Sequence, residues 1–436
     1  MLKAGFARLD VTPPFGVPLA GYYEQRLADG ILDPIQVNAL AVQNGERTLV
    51  IVTADVLMIS AVECDTLRAM INERTGIGAE NVLIAALHPH TSVRIGGIPR
   101  VALQDREYVS YFKRKITDVA ALAIADLADA TVGVACGDIE RPVSFVRRYI
   151  LKDGRGVRTN PGHKTPEELS GPTAEADNTV RLVRFFREEG GDIALVNFAT
   201  HPDTIGKTKM SADWPGFVRR FVEAEHAGAH CVFLNGFEGD SNHINYMQPK
   251  EGRFWKGYDG CEQIGRVIAN GVNAIWDATA PMQGETLHAE QRDVYIPTST
   301  RGLEYFEECK ELSTRYRAGD RSVMMTPHGF GVPEANRIAD IPTRPVLNRL
   351  PITVLGIGDI VIFALGGEPF TEYIYAARAL LPEKFLLTAC CANGGEGYFP
   401  TAKAYAEGGY EVQTSPFNPD LENLIMGTAT EMLKKV

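Results

Sequence analysis

Short apolar runs rich in β-branched residues alternate with helical patterns along this chain of 436 residues, and this alternation limits the possible folds more than any other feature. Strands are predicted at 48–54, 82–87, 193–198, 231–234, 360–365 and 385–389. Helices are predicted at 60–75, 108–127, 214–226, 261–279, 303–318, 371–381 and 420–435. Such alternation is typical of layered α/β folds. We therefore expect a mixed β-sheet flanked by helices.

The chain contains no Ser-, Gly- or Pro-rich linker and no low-complexity stretch. Boundaries between domains usually fall in such segments, so we expect one domain over residues 1–436. The segment from 296 to 345 is richer in charge and proline than its neighbours. We interpret it as an insertion that covers or shapes a pocket.

Charge and composition exclude several classes of partner. The formal charge is −11 and the 44 basic residues are scattered, which argues against nucleic acid because phosphate binding needs clustered Lys and Arg. The first residues lack an apolar stretch of signal-peptide length, and no later window has the roughly 18 apolar residues of a membrane span. The seven cysteines show no CxxC spacing, and Cys390 and Cys391 are predicted to be buried thiols. We expect a cytoplasmic protein without a membrane span.

Ionisable residues follow five of the predicted strands. In open α/β sheets, ligands bind just beyond the carboxyl ends of strands, where loops from several strands converge. These strand ends therefore predict a shared site. The residues that follow the strands, in chain order, are His88 and His90, His201, Glu238 and Asp240, Glu368, and finally Glu396 and Tyr398.

The His88-Pro89-His90 sequence places two imidazoles on one face of an extended segment, about 6–7 Å apart. Together with His201 and a carboxylate, these imidazoles form a nitrogen and oxygen donor set that suits Zn²⁺ and leaves a position for water. Each histidine taken alone has a plainer explanation as a hydrogen-bonded structural residue.

The remaining candidates also have structural explanations that the residues alone leave open. Glu368 precedes a predicted helix, where the helix dipole favours a carboxylate. The GFEGDSN sequence around Asp240 is a polar turn as readily as a site. Tyr398 follows a Gly-rich run that allows either close approach to a ligand or a flexible loop. Arg147 and Arg148 are candidates to stabilise an oxyanion or bind a carboxylate, although paired arginines beside a strand are often solvated.

Eight segments, in this order, resemble the neutral/alkaline non-lysosomal ceramidase family over nearly the whole chain. They are AGFARLDVTPPFGVPLAGY, VIVTADVLMIS, NVLIAALHPHTS, VRRYILKDGRGVRTNPG, VNFATHPDT with SADWPGF, FLNGFEGDSN, LGGEPFTEY and ANGGEGYFPTAKAYAEGGYEV.

The resemblance implies an α/β catalytic domain that carries one zinc ion on two histidines, a glutamate and a tyrosine. It implies that His90 assists by bonding the substrate or the transition state, and it matches Arg147 to an arginine of the family. The four zinc ligands that it implies here are His88, His201, Glu368 and Tyr398.

The sequence departs from the family pattern at three places. The serine regarded as important for amide cleavage in ceramidases is replaced by Asn242, and Ser241 lies one residue early, so its side chain points elsewhere. The His-Thr-His-Ser-Gly-Pro run appears as HPHTSV, with Pro89 between the histidines. The chain ends soon after the tyrosine motifs, so we expect no carboxy-terminal immunoglobulin-like domain.

These observations lead us to expect a zinc-dependent hydrolase that cleaves a C–N amide bond of a small soluble substrate through zinc-activated water. In this hypothesis His90 and Arg147 stabilise the oxyanion, Asp240 orients a neighbouring group, and Arg148 and Asn242 contact the substrate. The alternatives are an esterase or lactonase, an enzyme that isomerises or eliminates a sugar derivative, and a non-catalytic protein that binds a small molecule on the same scaffold.

Overall fold

The computed structural model describes residues 2–97, 104–249, 256–282 and 286–436. Eight long strands form the larger sheet: β1 (Leu2–Asp10), β2 (Gln36–Gln43), β3 (Thr48–Ala54), β4 (Val82–Ala86), β5 (Ala128–Asp138), β6 (Thr179–Arg187), β7 (Ile193–Phe198) and β8 (His230–Asn235). Their order across the sheet is β8-β7-β6-β5-β1-β2-β3-β4, and the short strand Ala280–Pro281 pairs with β5. The pairs β3–β4 and β7–β8 are parallel, and the other neighbours are antiparallel.

The smaller sheet has the order β9-β10-β11-β12, made of β9 (Leu287–Pro297), β10 (Leu347–Ile357), β11 (Ile360–Leu365) and β12 (Phe385–Ala389). The described residues also form short two- and three-stranded sheets and ten α-helices, which are α1 (Ala61–Thr75), α2 (Arg106–Ala125), α3 (Asp213–Glu225), α4 (Gly257–Ile275), α5 (Phe306–Arg317), α6 (Val332–Asp340), α7 (Glu372–Leu380), α8 (Ala402–Glu407), α9 (Tyr410–Thr414) and α10 (Leu421–Leu433).

The two sheets pack face to face because their strands are apolar on both sides. In β3, Leu49 and Ile51 face the small sheet, whereas Val50 and Val52 face α1 and α2 on the other side. Side chains alternate across a strand in this way, so a strand buried on both faces needs a continuous apolar run. Helices α3 and α4 cover β6 to β8, and α7 and α10 cover the outer face of the small sheet. We propose that both sheets belong to one domain, since they share these clusters.

A short segment after β12 joins two parts of the large sheet that are distant in its strand order. Strand β8 comes within 8 Å of β2 and β3, so the large sheet curls back on itself. The amide of Cys390 donates to Asn235 O at the end of β8 (3.0 Å), and the amide of Ala86 at the end of β4 donates to Cys391 O (3.1 Å). The ends of β4, β8 and β12 therefore meet at one place.

Asn393 fastens this segment to both sheets. Its backbone amide donates to Ile84 O (2.7 Å) and its side-chain Oδ1 accepts from Ile84 N (3.0 Å). Its Nδ2 donates to Thr353 Oγ1 in β10 (3.0 Å). The residue is fully buried and has φ +56°, a conformation that Asn adopts more readily than most residues. Asn393 thus closes an open strand edge that would otherwise leave backbone groups without partners.

The sequence predictions of the elements are confirmed. All six predicted strands and all seven predicted helices are present within a few residues of the expected bounds, and the fold class is the layered α/β arrangement. The helix predicted at 303–318 begins with one 3-10 turn at Leu303–Tyr305 and becomes α-helical at Phe306. Cys390 and Cys391 are buried free thiols, as expected. Within the described ranges, no helix combines the length and apolarity that a bilayer crossing requires.

We expect Asn393→Ala to lower the free energy of unfolding by about 1–3 kcal/mol, because it leaves the buried Ile84 amide and Thr353 hydroxyl without their partner. Urea unfolding followed by circular dichroism measures the change. Asn72→Ala is the matched control, since Asn72 lies exposed on α1; it should change stability by less than about 0.5 kcal/mol. Equal stabilities of the two variants would contradict the bracing role of Asn393.

Candidate metal centre

His88 lies directly beyond β4 in a strained backbone conformation, with φ +69°. Its amide donates to Val56 O (3.1 Å), and its ring Nδ1 lies 2.7 Å from Leu57 O. A carbonyl only accepts hydrogen bonds, so Nδ1 carries a hydrogen and Nε2 faces the centre of the site. Burial lowers the pKa of His88, but the charges of Glu368, Cys391 and Glu238 together outweigh that effect and raise the pKa well above its usual value.

His201 follows β7 and presents the same nitrogen to the same place. Its Nδ1 lies 3.3 Å from Glu238 O and 3.2 Å from Glu238 Oε2. Its Nε2 has no hydrogen-bond partner among the described residues and points towards Glu368. Burial, together with the charge of Arg147, holds the pKa of His201 well below the ordinary value. Glu238 therefore orients the ring from behind, the usual arrangement for a metal-binding histidine.

Glu368 and Tyr398 are direct partners in a short parallel bridge between Glu368–Pro369 and Tyr398–Phe399. The Glu368 amide donates to Gly397 O (2.9 Å). A side chain at Gly367 would come within 2.4 Å of the Phe399 ring, so only glycine allows this close approach. The Tyr398 ring stacks against His201 with the ring centres 6.4 Å apart. Burial and the nearby Glu368 raise the pKa of Tyr398 well above its ordinary value.

Three donor atoms converge on one place. Nε2 of His88 lies 3.5 Å from Oε2 of Glu368, and Nε2 of His201 lies 3.6 Å from the same oxygen. A tetrahedral zinc ion with bonds of about 2.0–2.1 Å places its donor atoms about 3.3 Å apart. The Glu368 oxygen is buried and has no hydrogen-bond partner among the described residues. Such a cluster of buried nitrogen and oxygen donors fits a bound divalent cation.

Three groupings of side chains around this point have the spacing of metal ligands, and one of them is Glu238, Cys390 and Cys391. His88, His201, Glu238 and Glu368 each offer an atom within 4.8 Å of the others, and His88, His90 and His201 do the same. Glu238 approaches the Nδ1 side of His201, away from the converging Nε2 atoms, so we place it behind the ligands. Tyr398 then lies beside the open side of the site.

His90 lines the pocket next to the proposed ligands. Its ring centre lies 5.1 Å from that of His88 and 5.4 Å from that of His201. Neither ring nitrogen has a hydrogen-bond partner among the described residues. Burial and the neighbouring His88 and Arg147 hold its pKa well below the ordinary value. A neutral imidazole in this place can either donate to or accept from a bound ligand.

Arg147 and Asp240 support the site from behind. The Arg147 guanidinium donates to Glu411 Oε1 and to Gly239 O, both at 2.8 Å, and lies 5.4 Å from the centre of the Tyr398 ring. Asp240 Oδ1 accepts from the amide and the hydroxyl of Thr371, both at 2.8 Å, which braces the chain just after Glu368. Burial raises the pKa of Asp240 to about 6.

Arg148 and Asn242 lie outside the pocket lining. Arg148 is buried in an ion pair with Glu407 (3.0 Å), and its guanidinium lies over Phe370. Asn242 Nδ2 donates to Asn160 Oδ1 (2.8 Å), and its own Oδ1 accepts from the Ile244 amide (3.0 Å). The structure gives both side chains internal partners and does not bring them together with the histidines. Their contact with substrate stays a prediction.

A pocket of about 280 Å³ opens above the centre. His88, His90, Glu368 and Tyr398 form one wall. The segment from 296 to 345 contributes Asp340 and Arg344, in keeping with the expectation that it shapes a pocket. The remaining lining includes Val17 to Tyr23, Leu57, Met58, Val93, Arg94, Gly97, Gln104, Asp105, Tyr108, Val109, Gly395, Glu396, Gly397, Tyr410 and Thr414.

Several residues of the site had no clear signal in the sequence. Tyr22 and Tyr410 line the pocket, Glu411 bonds Arg147, and Asp203 lies 3.7 Å from His90. Asp203 lies two positions after His201. The same spacing predicted that His88 and His90 are neighbours, and it could have identified Asp203 as well. Tyr410 and Glu411 follow a Gly408-Gly409 pair in the same way that Glu368 follows Gly366-Gly367.

Solved structures share this fold. Neutral ceramidase from Pseudomonas aeruginosa aligns with a TM-score of 0.73 and 17% sequence identity, covering 99% of this chain and 74% of that chain. A ceramidase complexed with C2 aligns with a TM-score of 0.71, again with 17% identity, 99% and 74% coverage. No protein-family profile and no curated protein matches the sequence. The fold implied by the sequence resemblance is therefore confirmed.

We expect purified protein incubated with zinc and then dialysed to retain about one ion per chain, and His201→Ala to lose it, because the variant removes one of the converging nitrogen atoms. Elemental analysis by mass spectrometry measures the content. His163→Ala, at an exposed histidine, is the control and should retain the ion. Wild-type protein that binds no zinc, or a His201→Ala variant that binds it fully, would contradict the assignment.

Proposed function

We propose that this protein is a zinc-dependent hydrolase that cleaves a C–N amide bond of a small soluble substrate. The observation that carries the proposal is the convergence of two imidazole nitrogens on one buried carboxylate oxygen beside a pocket. The ligands would be His88, His201, Glu368 and Tyr398. The two solved structures with the same fold are ceramidases, which supports an amide as the bond that is cleaved.

Nitrogen and oxygen donors of this kind suit zinc. When bound, zinc would supply a Lewis acid that polarises a carbonyl and lowers the pKa of water to about 7. The side chains of the protein would provide the other groups that the reaction needs. His90 faces the pocket, and neither of its ring nitrogens has a hydrogen-bond partner among the described residues. As a neutral imidazole with its hydrogen on Nδ1, it would accept a hydrogen bond through Nε2 from the attacking water.

Arg147 would act through Tyr398 rather than on the substrate. Its guanidinium is held by Glu411 and by Gly239 O, and it lies against the Tyr398 ring. A fixed positive charge beside a phenol favours the ionised phenolate, and a phenolate is the better metal ligand. Asp240 would keep Glu368 in place through its two hydrogen bonds to Thr371.

The size and polarity of the pocket favour a small substrate. Pockets for drug-sized ligands range from about 300 to 1,000 Å³, and the pocket here is at or below the lower limit. Its lining mixes apolar side chains with charged ones on several segments. A lipid with two alkyl chains needs a long apolar groove, whereas a short acyl amide with polar substituents fits this lining better.

Zinc-loaded protein incubated in ¹⁸O-labelled water with a panel of short N-acyl amines, matched esters and a short-chain ceramide tests the proposal. We expect release of free amine and incorporation of a single ¹⁸O atom into the carboxylate product, with loss of both in His88→Ala. Isomerisation or elimination would leave the carboxyl group unlabelled. Ligand binding that needs no metal, with no turnover of any amide or ester, would favour the non-catalytic binding protein instead.

We also expect Ser241→Ala to keep kcat within about twofold of the wild type. Ser241 is buried, its Oγ donates to Glu238 O (3.3 Å), and it does not line the pocket, so no base is placed to make it a nucleophile. Steady-state kinetics and intact-protein mass spectrometry after rapid acid quench measure the effect. A covalent acyl group found on Ser241 would overturn the preference for water as the nucleophile.

A further inference from the structure

The backbone of His90 is held by hydrogen bonds, whereas its ring is not. Its amide donates to Pro202 O (3.2 Å), and its carbonyl accepts from Arg26 (2.8 Å). The side chain is buried, yet both ring nitrogens lack hydrogen-bond partners among the described residues. An unpaired buried imidazole costs free energy, and such groups are common where a site awaits a ligand. One nitrogen nevertheless faces a carboxylate.

That carboxylate belongs to Asp203. Its Oδ1 lies 3.7 Å from His90 Nδ1, slightly beyond hydrogen-bond length. Functional hydrogen bonds are often long in a free protein and shorten once the ligand is bound. Asp203 is placed by the same loop that carries the proposed metal ligand His201, two positions earlier. His90 Nε2 is left to face the pocket.

A second loop holds Asp203 in place. The Tyr22 hydroxyl donates a short hydrogen bond to Asp203 Oδ1, and the Tyr22 ring stands edge-on to His90 with the centres 5.4 Å apart. The Arg26 guanidinium lies 4.2 Å above the centre of the Tyr22 ring and donates to Lys207 O (2.8 Å). Tyr22, Asp203 and His90 therefore form one connected array at the pocket wall.

Gly21 completes the packing around the imidazole. Its φ is +101°, and a Cβ atom there would lie 2.8 Å from two ring atoms of His90. Only glycine adopts this conformation without strain and leaves space for the ring. The loop thus presses its backbone against one side of the imidazole while Tyr22 secures the carboxylate that faces Nδ1.

We propose that Asp203, anchored by Tyr22, is the positioning residue of His90: it accepts the Nδ1 hydrogen and leaves Nε2 directed at the reacting group. The role rests on the proposed function for its catalytic consequence, but the position of the hydrogen on His90 does not depend on turnover. A carboxylate partner fixes the tautomer and the orientation of an imidazole in this manner. Replacing Asp203 should therefore change how well His90 works, while the metal stays bound.

The test compares Asp203→Ala and Asp203→Asn with the wild type, all loaded with zinc. We expect unchanged metal content, a KM within about twofold, and a kcat lowered about tenfold or more in Asp203→Ala. Asp203→Asn should recover part of kcat, because its Oδ1 still accepts from Nδ1. Asp153→Ala, at an exposed aspartate, serves as the control and should match the wild type.

Nitrogen-15 NMR of histidine-labelled protein reads the tautomer directly, with the His90 signal assigned from His90→Gln. We expect the Nδ1–H form in the wild type and in Asp203→Asn, and its loss in Asp203→Ala. Loss of zinc from Asp203→Ala, or an unchanged His90 signal with unchanged kcat, would overturn the proposal. So would a change confined to His243, the other buried histidine that interacts electrostatically with Asp203.

The two proposals fail in different ways. Absence of zinc and of turnover in the wild type would defeat the proposed hydrolase but leave the NMR test of Asp203 intact. A wild type that binds zinc and turns over substrate, with a His90 tautomer indifferent to Asp203, would defeat the positioning role alone.

Discussion

The hydrogen bonds of the segment after β12 are the constraint on which the site depends. Cys390 bonds the end of β8, Cys391 bonds the end of β4, and Asn393 joins β4 to the small sheet. His88 follows β4 and His201 follows β7, the neighbour of β8, so this segment helps to bring the two proposed ligands together by closing the curl of the large sheet. The same segment leads into Tyr398, so one stretch of chain both closes the sheet and supplies a proposed ligand.

The arrangement of the proposed centre costs free energy of folding. Two imidazole nitrogens and a carboxylate oxygen face one another in a buried place where each would otherwise need a partner. The backbone strain at His88 adds to this cost, and such strain persists only where the surroundings impose it. A bound cation would give all three groups a common partner. A binding site therefore explains this geometry better than a structural core does.

The architecture could be predicted from the sequence because the spacing of apolar residues within a short segment indicates whether it forms a strand or a helix. Continuous apolar runs identified β3, β4, β7, β8, β11 and β12, and the polar residues at the ends of the last five predicted the site. Arg147 and Arg148 show where local reasoning stops: adjacent residues in an extended segment point to opposite sides, so only Arg147 approaches Tyr398. Asn393 and Asp203 act through partners far along the chain or in another loop. No pattern in the sequence indicates such contacts.

The order of the ligands along the chain has a consequence for biosynthesis. His88 lies in the first quarter of the sequence, whereas Tyr398 lies in its last tenth, and the pocket also takes its walls from both ends. A ribosome-bound chain thus presents His88 and His201 long before Glu368 and Tyr398 have been made. Chains fold from the amino terminus as they emerge. With the proposed ligand set, metal capture would therefore be a late event in maturation, because a nascent chain would hold only part of the donors.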